Sequence, residues 1–139
     1  MKKTIIGIIG DKDARLNALC EHLGKHKFKK VTISSKVREM SKYIVRGDLS
    51  DDIVSQIRER GYKVNRLYWV NLLLSSMKDE DSNILIEDLS KQDIVDGVMT
   101  VYCSGNDPSM NGCVNISSWD EERLSKEISR ILRISRKTA

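Results

Sequence analysis

The residues that follow the first apolar run have the spacing of a phosphate-binding loop but not its side chains. A β-branched run at 4–9 contains Gly7 and leads to Gly10, and a helical pattern starts soon after Gly10, which is the strand, loop and helix order of a nucleotide site. A Walker A loop has Gly-x4-Gly-Lys-Ser/Thr, because backbone N–H groups, an ammonium group and a hydroxyl on Mg²⁺ together hold the phosphates. Counted from Gly10, the last three of these positions hold Arg15, Leu16 and Asn17. The sequence therefore predicts a degenerate phosphate loop.

Two carboxylates in the same loop, Asp11 and Asp13, make phosphate binding less favourable still. Two like charges about 4 Å apart repel by roughly 4 kcal/mol at an effective dielectric constant near 20. Lys12 offsets one of these charges. Arg15 could pair with either carboxylate and fill the space that phosphates need, so we hypothesise a loop that is plugged by its own arginine.

The elements that must position this loop alternate between short β-branched runs and longer amphipathic segments, which is typical of βαβ units around a parallel sheet. The predicted strands are 4–9, 31–34, 83–87, 98–103 and 113–116. The predicted helices are 12–23, 35–46, 50–60, 65–78 and a last helix from about 119 to 137, with Ser35 and Ser50 as N-caps and Gly24, Gly47 and Gly61 just beyond the ends of the first three. We expect an α/β fold, a three-layer sandwich with a five-stranded, mainly parallel sheet.

Composition places the chain among globular proteins. With 139 residues, of which 40% are hydrophobic, it is sized for a single domain spanning 1–139. No apolar run approaches the ~20 residues of a membrane span, so we expect a soluble, cytoplasmic protein with no membrane partner. Three cysteines and two histidines, His22 and His26, find no nearby residues that complete a ligand set, so we expect no metal site.

Four segments spread along the chain share the pattern of one enzyme family. They are the first strand with its glycines at 5–10, the run GYKVNRLYWVN at 61–71, the strand end NILIEDLS at 83–90, and the short strand and amphipathic helix at 111–132. Through them the chain resembles the P-loop nucleoside monophosphate kinases, most closely the deoxynucleoside monophosphate kinases common in phages. The run at 61–71 is the most specific match. The resemblance implies a P-loop kinase-like fold.

The chain departs from this family at the positions that carry its chemistry. The Walker lysine and hydroxyl are missing, and Ser90 stands where the family has an arginine. Phosphoryl transfer depends almost wholly on positioning and on neutralising charge. We therefore expect a catalytically inactive, viral or phage kinase-like protein, without a cofactor, that acts as a binding or regulatory module. The alternative is a deoxynucleoside monophosphate kinase that still binds ATP and Mg²⁺, with Lys12 replacing the lost lysine and Asp88 near the metal.

Four residues are candidates for binding a substrate or partner: Arg58, Arg66, Trp69 and Asp88. Asp88 ends the third strand, where α/β folds place ligands; the alternative is that it caps the following turn. Arg66 and Trp69 are three residues apart on a predicted helix and could hold a base or phosphate, or be a surface arginine beside a core tryptophan. Arg58 could grip phosphate or simply be solvated.

The formal charge of +4 is unevenly placed. Two groups of cations form candidate basic surfaces: Lys25, Lys27, Lys29 and Lys30 before the second strand, and Arg123, Lys126, Arg130 and Arg133 on the last helix. Such groups can bind nucleic acid or an acidic protein, or can be solvated only. The expected partner is therefore a protein or a nucleic acid. A homo-oligomer that buries the former substrate face is a third possibility.

Overall fold

The computed structural model describes residues 3–10, 14–103 and 113–138, and in the last helix it describes no side chains at 132 and 134–138. The predicted loop residues Asp11, Lys12 and Asp13 lie outside this range. Within the described residues, no helix combines the length and the apolar character needed to cross a membrane.

Five strands form one sheet, and every strand pairing is parallel. The strands are β1 (Ile5–Ile9), β2 (Lys29–Val31), β3 (Ile84–Leu89), β4 (Met99–Tyr102) and β5 (Cys113–Asn115), and they lie in the order β2-β3-β1-β4-β5. The helices are α1 (Ala14–Lys25), α2 (Ile33–Ser41), α3 (Asp51–Val64), α4 (Tyr68–Ser76) and α5 (Glu121–Thr138), with a short 3₁₀ helix at Lys91–Asp93. The predicted α/β fold, a sandwich around a five-stranded parallel sheet, is confirmed.

The helices cover the two faces of the sheet because side chains alternate along each strand. Ile6 and Ile8 of β1 point to the face covered by α1 and α5, where they are fully buried. Ile9, one residue further, belongs to the core on the other face, together with residues of α2, α3 and α4. Two apolar cores therefore sandwich the sheet.

The predicted boundary between β2 and α2 is wrong. The strand was predicted at 31–34, but β2 ends at Val31 and Ile33 already belongs to α2. Thr32 is the N-cap of α2, and its side-chain oxygen accepts a 3.0 Å hydrogen bond from the backbone N–H of Ser35. The cap thus overrides the β-propensity of the run, and α2 ends at Ser41, well before Gly47.

Glycine was a poor marker of helix ends in this chain. α1 continues through Gly24 to Lys25, and it is Lys27, with a φ of 67°, that takes the left-handed conformation. α3 continues through Gly61 to Val64. The predicted N-cap of α3 is confirmed, since Ser50 Oγ accepts a 3.2 Å hydrogen bond from the N–H of Ile53.

Candidate functional site

The loop predicted to be a degenerate phosphate loop begins at the carboxyl end of β1, in the centre of the sheet. Gly10 has a φ of 84°, which favours glycine because it has no Cβ atom. Arg15 is exposed, and its Nε donates a 2.8 Å hydrogen bond to the backbone carbonyl of Trp119. A cavity of about 480 Å³ lies beside Arg15 and is also lined by Ala14 and Glu121. The pairing of Arg15 with a loop carboxylate stays a prediction, because both carboxylates lie outside the described residues.

Leu16 occupies the position at which the Walker pattern has lysine, and its side chain is fully buried. It belongs to the core between the sheet, α1 and α5. Asn17, at the hydroxyl position, is exposed. The residue at the lysine position therefore contributes to packing rather than to the surface of the loop.

A second polar cluster lies at the carboxyl end of β3, where α3 faces residues 88–94. Arg58 is its centre and uses all three of its guanidinium nitrogens. Nε donates to the Tyr62 hydroxyl at 2.9 Å, Nη1 to Ser34 Oγ at 3.2 Å, and Nη2 to the Asp88 carbonyl at 3.0 Å. Nη2 also lies 3.4 Å from Oδ2 of Asp93. We call the group formed by Arg58, Ser34, Tyr62, Asp88, Ser90 and Asp93 the Arg58 cluster.

Asp93 is the innermost member of the Arg58 cluster, and its side chain is inaccessible to solvent. Besides Arg58, its Oδ2 accepts hydrogen bonds from Tyr62 OH at 2.9 Å, from Ser90 Oγ at 2.9 Å and from the Ser90 N–H at 2.8 Å. Its Oδ1 is buried and has no hydrogen-bond partner among the described residues. One oxygen of Asp93 thus fastens the start of the 3₁₀ helix to α3.

Asp88 joins the same cluster from the end of β3. Its Oδ1 accepts from the N–H of Ile33 at 2.5 Å and its Oδ2 from the N–H of Ser34 at 2.9 Å. These N–H groups belong to the first turn of α2, whose positive end favours a carboxylate. Asp88 Oδ2 also lies 3.6 Å from Arg58 Nη1. Asp88 therefore caps α2 and not the turn that follows β3.

Burial and charge set the protonation of the cluster. Burial lowers the pKa of Arg58, but the hydrogen bond to Tyr62 and the charges of Asp88 and Asp93 outweigh it and raise that pKa above its ordinary value. Burial also raises the pKa of the Tyr62 hydroxyl. At neutral pH the guanidinium is therefore charged, and the neutral hydroxyl of Tyr62 can donate to Asp93.

Arg66 and Trp69 lie next to the Arg58 cluster but do not form the predicted pair around a ligand. Arg66 is exposed and its Nη1 donates to the carbonyls of Gln92 at 3.0 Å and Ile94 at 2.8 Å. Trp69 is only 3% exposed, and its Nε1 donates to the Arg58 carbonyl at 2.8 Å. The alternative of a core tryptophan beside a surface arginine is confirmed. An open cavity of about 650 Å³ lies next to Arg66.

Of the Arg58 cluster, the sequence singled out Arg58 and Asp88 but not the other four members, Ser34, Tyr62, Ser90 and Asp93. Tyr62 is four residues after Arg58 and therefore lies on the same face of α3. Ser90 and Asp93 have the spacing of a capping box, and both of its hydrogen bonds are formed. These two spacings were the signals available in the sequence.

The two predicted basic surfaces differ in how far their charges are compensated. On α5, Lys126 pairs with Glu122 at 3.2 Å and Arg130 with Glu127 at 2.8 Å. The second surface lies at the amino ends of β2 and β3, because Lys29 pairs in register with Ile84. The Lys29 Nζ atom forms an ion pair with Glu80 Oε2 at 3.0 Å. The remaining exposed lysines of this group form no ion pair within the described residues: Lys25, Lys27 and Lys30. We call this group of four the amino-end lysines.

Comparisons with known proteins leave the family open, since no protein-family model and no curated protein matches the sequence. The resemblance to P-loop kinases stays a prediction, with which the α/β fold and its parallel sheet are consistent. Among the described residues, no three His, Cys, Asp or Glu side chains are grouped so that they could hold a metal ion.

Proposed function

We propose that this chain is a catalytically inactive kinase-like protein that serves as a binding module for a polyanionic partner. The observation that carries the proposal is the burial of Leu16. A phosphate loop needs a cation at this position to hold the β- and γ-phosphates. A leucine packed between the sheet and α5 supplies no charge, and moving it outward would open a cavity in the core.

The state of Arg58 supports the same conclusion. A phosphate would need free N–H donors from a cation near the carboxyl ends of the strands. Arg58 already donates to Tyr62, Ser34 and Asp88, and it lies next to two carboxylates. A phosphate would have to displace these partners and approach Asp88 and Asp93 directly, which is unfavourable between like charges.

The amino-end lysines are the surface that we assign to the partner. They lie at the end of the sheet opposite the Arg58 cluster, and three of them have no ion pair among the described residues. The aromatic residue next to them, Phe28, is 4% exposed and offers no face for stacking bases. Contacts made by lysine alone fit a regular phosphate backbone, because such contacts position a nucleic acid without reading its sequence. Nucleic acid is therefore the first partner to test, and an acidic protein is the second.

The experiment is a salt titration of binding to labelled duplex DNA and RNA, followed by fluorescence anisotropy. We expect the affinity to fall linearly on a log–log plot against salt, because each phosphate contact releases counterions. The variant Lys25→Gln/Lys27→Gln/Lys30→Gln should weaken binding. It should also reduce the magnitude of the slope of log affinity against log salt concentration by about one per lost phosphate contact.

The matched control removes the same charge from α5, with Lys126→Gln/Arg130→Gln/Arg133→Gln. Equal loss in both triple variants would mean that only net charge matters and would reject the assigned surface. Absent or salt-independent binding to nucleic acid would reject nucleic acid as the partner and leave an acidic protein.

A second candidate is a nucleotide kinase with a remodelled loop that binds ATP and Mg²⁺. The left-handed Gly10 and the cavity of about 480 Å³ beside Arg15 favour it, since they leave space at the loop. A coupled assay with each deoxynucleoside monophosphate tests it. Turnover that is lost in Lys12→Gln would replace the first proposal with this one.

A further inference from the structure

An apolar cavity of about 270 Å³ lies between α5 and the outer half of the sheet. It lies on the sheet face covered by α1 and α5, at the edge opposite β2, which carries Lys29 and Lys30, and it shares no lining residue with the Arg58 cluster. Its walls come from α1, β4, β5 and α5, and include Leu19, Val101, Val114, Ile116, Trp119 and Ile128. Its lining includes none of the residues used for the function proposed above, so ligand binding here does not depend on that function.

The cavity opens to solvent and is therefore a surface pocket rather than a closed interior void. Three apolar side chains that line it, Met99, Val114 and Trp119, remain partly accessible although they pack against the core. A volume just below the ~300–1,000 Å³ of pockets for drug-sized molecules suits a smaller ligand. The described residues therefore leave part of the apolar wall exposed, and an apolar ligand would bury it.

The rim of the cavity carries one uncompensated positive charge. Glu127 and Arg130 both line it, but they neutralise each other in an ion pair of 2.8 Å. Arg123 also lines it, with its guanidinium carbon 4.8 Å from the centre of the Trp119 ring. Within the described part of the chain, no carboxylate lies at ion-pair distance from this guanidinium. Its N–H groups are thus available to an anion at the mouth of an apolar cavity.

We propose that this cavity binds a small amphipathic carboxylate. The apolar body of the ligand would lie between Ile128 of α5 and Val114 of the sheet, and its carboxylate would accept hydrogen bonds from Arg123. Charge complementarity selects this class, because a carboxylate accepts charge-assisted hydrogen bonds from Arg123 that a neutral head group does not match, and an amine would be repelled by it.

The test uses three eight-carbon probes that differ only in the head group: octanoate, octanol and octylamine. Calorimetric titration of the intact chain should give saturable binding of octanoate, weaker binding of octanol and none of octylamine. Arg123→Gln should weaken octanoate about tenfold, the usual worth of one charge-assisted hydrogen bond, and leave octanol unchanged. Lys126→Gln, on the same helix but not on the rim, should change neither.

A second variant tests the cavity itself. Val114→Phe adds volume at a side chain that is only partly buried, so that it fills space with little strain, and it should abolish binding of both octanoate and octanol. Chemical shifts of Ile128 and Val101 should move with octanoate in the wild type and stay fixed in this variant. Equal binding of all three probes, binding that survives Val114→Phe, or no binding of octanoate to the folded wild type would overturn the proposal.

Discussion

Gly61 and Trp69 fit together only because residue 61 has no side chain. A Cβ atom at residue 61 would lie 2.2 Å from Nε1 of Trp69 and 2.6 Å from Cε2 of the same ring. The ring cannot move aside easily, because it is 3% exposed and its Nε1 is bonded to the carbonyl of Arg58. This close contact fixes α4 against α3 and holds the helix that carries Arg58.

We therefore predict that Gly61→Ala destabilises the protein, although alanine favours helices. The overlap with Trp69 should lower the free energy of unfolding by about 1–3 kcal/mol, measured by urea denaturation. Lys63→Ala, at an exposed position of the same helix, is the control and should stay within about 0.5 kcal/mol of the wild type. A Gly61→Ala variant as stable as the control would mean that the indole contact is not tight.

Arg58→Met should be strongly destabilising, because it leaves the buried Asp93 carboxylate without its cation. Breaking a buried ion pair in this way costs about 3 kcal/mol or more. The matched control is Arg38→Met, since Arg38 pairs at 2.8 Å with Asp51, which is fully exposed; such a pair contributes at most about 1 kcal/mol. Similar losses in the two variants, compared by urea denaturation, would argue against a special role for the Arg58 cluster.

Asp88→Ala should loosen the start of α2, since both carboxylate oxygens accept from N–H groups of its first turn. Loss of a capping side chain costs about 0.5–2 kcal/mol. Hydrogen exchange at Ile33 and Ser34 should speed up more than exchange at Leu73 in α4. Unchanged exchange at the first turn would show that water replaces the cap without cost.

The raised pKa of Tyr62 gives a pH dependence with a definite sign. Burial favours the neutral hydroxyl in the folded state, so its contribution to stability is complete below the unfolded pKa of about 10. It is lost as the pH rises from that value through the folded pKa. The stability advantage of the wild type over Tyr62→Phe should therefore shrink above pH ~10. An advantage that grows or stays constant in this range, measured by denaturation at several pH values, would contradict the assignment.

Four of the five strands were predicted close to their observed positions because each carries a local signal, whereas β2 overlaps its predicted strand only at Val31. The apolar β-branched runs around Ile6, Ile84 and Val101 are short and bounded, so their existence followed from the pattern. The β2–α2 boundary was missed because it depends on the Thr32 cap, which competes with β-propensity over the same residues. Gly61 was predicted to end a helix because glycine often follows the last helical residue. Its contact with Trp69 is tertiary and cannot be predicted from the neighbouring sequence.

The candidate site was predictable only in part. Asp88 and Arg58 were singled out from the sequence, but the cluster that joins them depends on α3 meeting residues 88–94, some thirty positions further along the chain. Asp93 was not among the predicted site residues, and its complete burial follows from packing alone. Local spacing can indicate a capping box, but it cannot show that the box packs against a partly buried arginine.

We infer that the loop between Gly10 and Asn17 does not hold a polyphosphate, and the decisive experiment is a calorimetric titration with ATP in the presence and absence of Mg²⁺. We expect no saturable binding of ATP, alone or together with any deoxynucleoside monophosphate. Micromolar binding of ATP that requires Mg²⁺ would contradict it.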